Sequence, residues 1–157
     1  MPKRQKNISS DSIPKIVLFI AKILQKTSTS LTVKFAKRLF STPIKYKIPK
    51  REFEMDNKSI QELIYIPEIS KKIMVYEYGS GSKKALLVHG WSGRGTQLVK
   101  IADQLTEMGY TTISFDAPAH GKSPGSKTLM IEFIASILEL EKKYGKFEVA
   151  IGNSLGG

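Results

Sequence analysis

From residue 85 onward the apolar positions change period in a regular way. Ala85-Leu86-Leu87-Val88 is a short all-apolar run, as expected of a strand buried on both faces. Thr96 to Met108 repeats apolar residues at helical spacing (Leu98, Ile101, Leu105, Met108) and stops at Gly109. Thr111 to Phe115 predicts a second strand. Leu129 to Tyr144 predicts a long helix whose apolar face is Ile131, Ile134, Ile137, Leu138 and Leu140, capped by Gly145. Phe147 to Ile151 predicts another strand. Such alternation implies right-handed crossovers and a parallel sheet covered on both faces. Upstream, Ile60 to Ile66 and Ile73 to Tyr78 read as strands around a turn at Pro67, and Gly79-Ser80-Gly81-Ser82 as a tight loop.

The first part of the chain has a different pattern. Ser12 before Ile13-Pro14 marks a helix start. From Ile13 to Lys26 apolar residues nearly fill the helix, with Lys15, Lys22 and Lys26 inside an arc of about 40°. Thr27 to Ser30 breaks it, and Leu31 to Phe40 forms a second amphipathic segment with Lys34, Lys37 and Arg38 on the polar side. Residues 44–56, charged and marked by proline, read as a linker. The expected division is therefore a basic helical arm with linker over 1–56 and an α/β domain over 57–157.

Charge sharpens that division. Residues 1–51 hold 13 Lys/Arg against one acid, Asp11, a net +12, whereas residues 52–157 hold 12 Lys/Arg against 13 acids, a net −1. The overall +11 therefore belongs to the arm, and a nucleic-acid-binding body is disfavoured. The lysines forbid a span of roughly 20 apolar residues, and the apolar core is too short for a secretory signal. A pair of interfacial helices on an anionic membrane fits the pattern. Helices that pack on the protein's own body or on a partner fit it too. Cysteine is absent, which removes disulfides and thiolate metal sites and suits a cytoplasmic location, with peripheral contact at the inner membrane surface.

Three glycine-rich motifs sit at element ends. His89-Gly90-Trp91-Ser92-Gly93-Arg94-Gly95-Thr96 lies between strand and helix. Asp116-Ala117-Pro118-Ala119-His120-Gly121-Lys122-Ser123 follows the next strand. Gly152-Asn153-Ser154-Leu155-Gly156 follows the last. A serine between glycines after a buried strand has the pattern of a nucleophile elbow, a turn so sharp that its neighbours must be small.

Taken together, strand-HGW-helix, strand-DxPxHGxS, helix and strand-GxSxG resemble the α/β-hydrolase family over roughly residues 60 to 157. The resemblance implies a mostly parallel sheet flanked by helices. It makes Ser154 the nucleophile and the backbone N–H groups of Trp91 and Leu155 the oxyanion donors. It implies an ester-like small-molecule substrate, an acyl-enzyme, and no metal or organic cofactor. His89, His120 and Asp116 are expected to brace loops, because the family's acid and base histidine follow the elbow. Trp91 is placed either in the acyl pocket or over the core, and Arg94 either near an anionic substrate or in solvent. With nothing after Gly157, the expectation is the first part of a hydrolase, its last strand leaving an unpaired apolar edge, with little turnover of its own. Two alternatives stand beside it. One is a non-catalytic remnant that uses residues 13–40 as a membrane or partner-binding arm. The other is a dinucleotide-binding domain, with Gly90-x-x-Gly93-x-Gly95 at a helix start and Asp116 about 20 residues on.

Overall fold

A computed structural model describes residues 14–157 of the chain. The chain forms two compact units, Met1–Phe40 and Ser41–Gly157. The expected helix start at Ser12 lies outside the described residues.

In the first unit, helix α1 spans Lys15–Thr27 behind Pro14, whose fixed φ of −52° suits a helix start and whose missing N–H costs nothing there. Ser28 is extended (φ −162°) and ends α1. Its Oγ then accepts from Leu31 N–H at 3.3 Å, so helix α2, Thr29–Ser41, begins two residues earlier than the apolar pattern indicates. No residue of α1 is buried.

In the second unit the segment read as a linker is folded. Lys45 Nζ donates to Ser123 O at 2.6 Å, and helix α3, Phe53–Lys58, buries Met55 completely. Met55 joins Ala85, Leu87, Val99, Ala102 and Leu105 in one core cluster. The two compact units divide at residues 40/41, so this segment lies within the second. The segment's charges and Pro49 interrupt any helical or strand period, which is why composition alone suggested a tether.

The sheet has five strands: β1 Ile60–Ile66, β2 Lys71–Tyr78, β3 Lys83–Val88, β4 Tyr110–Asp116 and β5 Val149–Gly152. Their order is β1-β2-β4-β3-β5. β1, β2 and β4 pair antiparallel, while β4, β3 and β5 are parallel. The all-apolar run in β3 has the expected cause. Leu86 and Val88 face one core cluster, Ala85 and Leu87 the other, so both faces are covered. Helix α4, Val99–Glu107, entered through a 3-10 turn at Gly95–Leu98, lies on the Met55 side. Helix α5, Met130–Tyr144, lies on the other, where Phe133 and Leu140 are buried.

The expected α5 face is right in part: Leu140 is buried and Ile137 packs against the core, but Ile131, Ile134 and Leu138 are 65%, 49% and 47% exposed, and Phe133 and Ser136 take their place on the buried side. α5 is apolar on two sides, and its stronger period marks the outer one. Among the described residues β5 pairs with β3 alone.

Candidate active site

The loops that leave the C-terminal ends of β3, β4 and β5 meet at one end of the sheet. The sharpest is after β5. Asn153 is still extended and its N–H donates to Val88 O at 3.0 Å, continuing the ladder with β3. Ser154 then turns to φ +55°, a left-handed conformation that costs a non-glycine residue about 1–2 kcal/mol. A 3-10 turn follows over Ser154–Gly156. A Cβ on Gly152 would stand 1.9 Å from Gly156 O, and one on Gly156 would stand 2.5 Å from Val88 O. Neither position has room for a side chain. Ser154 itself is exposed, and its Oγ makes no hydrogen bond among the described residues.

The β3 loop lies against this turn. A Cβ placed on Gly90 would be 3.1 Å from Ser154 Cβ and 2.9 Å from Asn153 O. Gly93 N–H closes a turn on Gly90 O at 2.9 Å. The amides of Ser92, Gly93, Gly156 and Gly157 are all hydrogen-bonded. Those of Trp91 and Leu155 have no partner among the described residues. Trp91 is 36% exposed, with its ring edge-on to His120 at 5.3 Å between centroids.

Both histidines are committed to backbone. His89 Nε2 accepts from Ala117 N–H at 3.0 Å, so its Nδ1 carries the proton and donates to Gly90 O at 2.6 Å. His120 Nε2 accepts from Ser92 N–H at 3.0 Å and its Nδ1–H points to Pro118 O at 3.1 Å. The rings lie 4.8 Å apart, tilted by 52° to each other, and each lies 5.3 Å from the Phe133 ring. Burial lowers both pKa values to about 4; Arg94 adds to this at His89, and His89 adds to it at His120. Two neutral imidazoles thus tie the β3 loop to the β4 loop, and neither reaches Ser154 by hydrogen bond.

Asp116 is fully buried at the end of β4 and braces three segments. Its Oδ1 accepts from Gly95 N–H at 2.6 Å. Its Oδ2 accepts from Lys122 N–H at 2.6 Å and from Tyr76 O–H at 2.8 Å. Burial and the neighbouring Asp116 carboxylate push the Tyr76 hydroxyl far above its usual range. Ser123 Oγ donates to Asp116 O at 2.5 Å and accepts from Met74 N–H at 2.8 Å, fastening the loop to β2. A carboxylate so enclosed has no face for a ribose, which removes the basis of the dinucleotide reading. Among the described residues no group of three or more His, Asp or Glu is placed to hold a metal ion.

Arg94 is buried rather than solvated, and its guanidinium is already engaged within the protein. Its Nε lies 3.5 Å from Glu52 Oε2, and its Nη1 donates to Tyr46 O at 3.0 Å. Glu52, only 1% exposed, also accepts from Thr96 Oγ1 at 2.8 Å. This polar cluster anchors the start of α4 to the 46–52 segment, and nothing in the local sequence pattern pairs residues so far apart.

Residues 86–157, which begin inside β3 and take in all three loops, match the family model described as the α/β hydrolase fold. The chain matches no curated protein sequence. Among solved structures it is similar to an esterase of Pyrococcus furiosus, at 21% identity and a TM-score of 0.58 over 74% of this chain and 48% of that one. It is similar to a thioesterase domain from the curacin biosynthetic pathway, at 20% identity and 0.56 over 62% and 36%. It is also similar to an epoxide hydrolase of Vigna radiata, at 17% identity and 0.55 over 64% and 33%. At such identities the likeness is one of fold. The chain spans between a third and a half of the length of these structures.

Proposed function

The second unit carries the α/β-hydrolase fold, and from that premise we propose that this protein is a serine hydrolase acting on an ester-like bond through an acyl-enzyme. Ser154 is the nucleophile in this reading. Its Oγ attacks the acyl carbon, and the oxyanion that forms is held by the N–H groups of Trp91 and Leu155. Each such donor is worth about 10²–10³ in rate because it is aimed before charge develops. The leaving alcohol or thiol departs, and water then releases the acid.

One observation carries the reading. An exposed serine sits at φ +55° between two glycines that admit no side chain, against a loop whose Trp91 amide, like that of Leu155, has no partner among the described residues. Strain of this kind persists where the surroundings over-determine it, and it clusters at functional sites. An esterase and a thioesterase domain of the same fold favour carboxylic ester or thioester chemistry.

A serine needs a base to take its proton. The sequence has two histidines, and both spend each ring nitrogen on backbone. The proposal therefore places base and acid outside residues 1–157, and expects this chain alone to turn over slowly.

Hydrolysis of short-chain p-nitrophenyl esters is the test. The protein purified from its native source should hydrolyse them, with Ser154→Ala losing about 10⁴-fold or more. Undiminished activity in Ser154→Ala would refute the nucleophile. Rapid turnover by residues 1–157 alone would refute the placement of the base.

A further inference from the structure

The first unit exposes apolar and cationic rows side by side, on a segment the hydrolytic reading does not use. Ile16, Phe19 and Ile23 of α1 are 62%, 60% and 46% exposed, and with Ile20 they cover an arc of about 100° on the helix. Lys15, Lys22 and Lys26, all exposed, occupy the adjoining arc of about 40°. α2 repeats the arrangement, with Phe40 83% and Val33 60% exposed on one side and Lys34, Lys37 and Arg38 on the other. Residues 14–40 contain six Lys/Arg and no acid.

We propose that α1 and α2 dock this protein on the surface of an anionic lipid bilayer. A surface that complements α1 must be apolar below and negative just above, with the two layers a few ångströms apart. The boundary between acyl chains and anionic headgroups has that profile, and an interfacial helix sinks its apolar face about 5–10 Å into it. Lysine stems lie along the apolar layer while their ammonium groups reach the phosphates. A nucleic acid offers the charge but no layer to take up Phe19 and Ile23. An apolar protein groove would accept those side chains and leave Lys15, Lys22 and Lys26 without anionic partners. The docking is superficial: among the described residues no helix is long and apolar enough to cross a membrane. The inference is independent of the proposed chemistry at Ser154.

Flotation of the full 157-residue chain tests it, with vesicles of phosphatidylcholine alone and of phosphatidylcholine mixed with phosphatidylglycerol. The chain should rise with the mixed vesicles and remain below with the neutral ones. At about fivefold per cation, the triple variant Lys15→Gln, Lys22→Gln, Lys26→Gln should partition about a hundredfold more weakly. Phe19→Ser should lose about tenfold. All four positions are exposed, so an unchanged far-ultraviolet circular dichroism spectrum is expected of both variants. Failure to float with anionic vesicles overturns the proposal, as does equal flotation with neutral ones. Anionic binding that Phe19→Ser leaves intact also overturns it, since that is the behaviour of an arm binding any polyanion, nucleic acid included.

Discussion

Mild acid should loosen this fold at the loops that follow β3 and β4 before its ordinary carboxylates titrate. His89 and His120 are each about 1% exposed and hold pKa values of about 4, against the usual 6.5, chiefly because burial disfavours the cation. The hydrogen bonds reinforce this. A proton on Nε2 would remove the acceptor for Ala117 N–H or Ser92 N–H. The unfolded chain therefore binds these protons first, so stability is constant above about pH 7 and falls as pH drops from 6.5 towards 4. The loss is about 1 kcal/mol per histidine at pH 5.5 and about 2 at pH 5.0. Together that is about 4 kcal/mol at pH 5.0, a large part of the 5–15 kcal/mol that holds a typical domain. Urea unfolding followed by Trp91 fluorescence at pH 7.5, 5.5 and 5.0 reads it directly. His120→Gln, which keeps an acceptor but cannot titrate, should show about half the dependence. A midpoint unchanged between pH 7.5 and 5.0 would refute the neutral assignment of both rings.

Further expectations concern the loops. Gly152→Ala forces a backbone shift and should cost about 3 kcal/mol or more, whereas Gly145→Ala, at φ +83° with open space around it, should cost only about 1–2, both by urea denaturation. Asp116→Asn offers an amide where Gly95 N–H, Lys122 N–H and Tyr76 O–H all need acceptors, and should lower stability by about 1–3 kcal/mol. Glu52→Ala leaves the buried Arg94 guanidinium without its carboxylate and should cost about 3 kcal/mol in the same assay.

Features that repeat locally are legible in the sequence. The unbroken apolar run 85–88 announces a strand between two layers, and the structure puts its residues alternately into two cores. Gly152 and Gly156 are legible because a turn with no room for Cβ leaves one residue type on either side of Ser154. Contacts between distant segments left no such trace. Arg94 pairs with Glu52 across 42 positions, and Met55 reaches the core from a charged, proline-marked stretch with no regular period. α5 misled for another reason: its exposed Ile131, Ile134 and Leu138 repeat at helical spacing as well as its buried Phe133, Ser136 and Leu140 do. The backbone roles of His89 and His120 depend on which carbonyl and amide stand beside each ring, which only folding determines.

Labelling with a fluorophosphonate, followed by mass mapping of the modified peptide, tests the central claim most directly. On protein from its native source the account predicts one phosphonylated residue, Ser154, and no label in Ser154→Ala. A label on another residue, or none on a protein that hydrolyses esters, would contradict it.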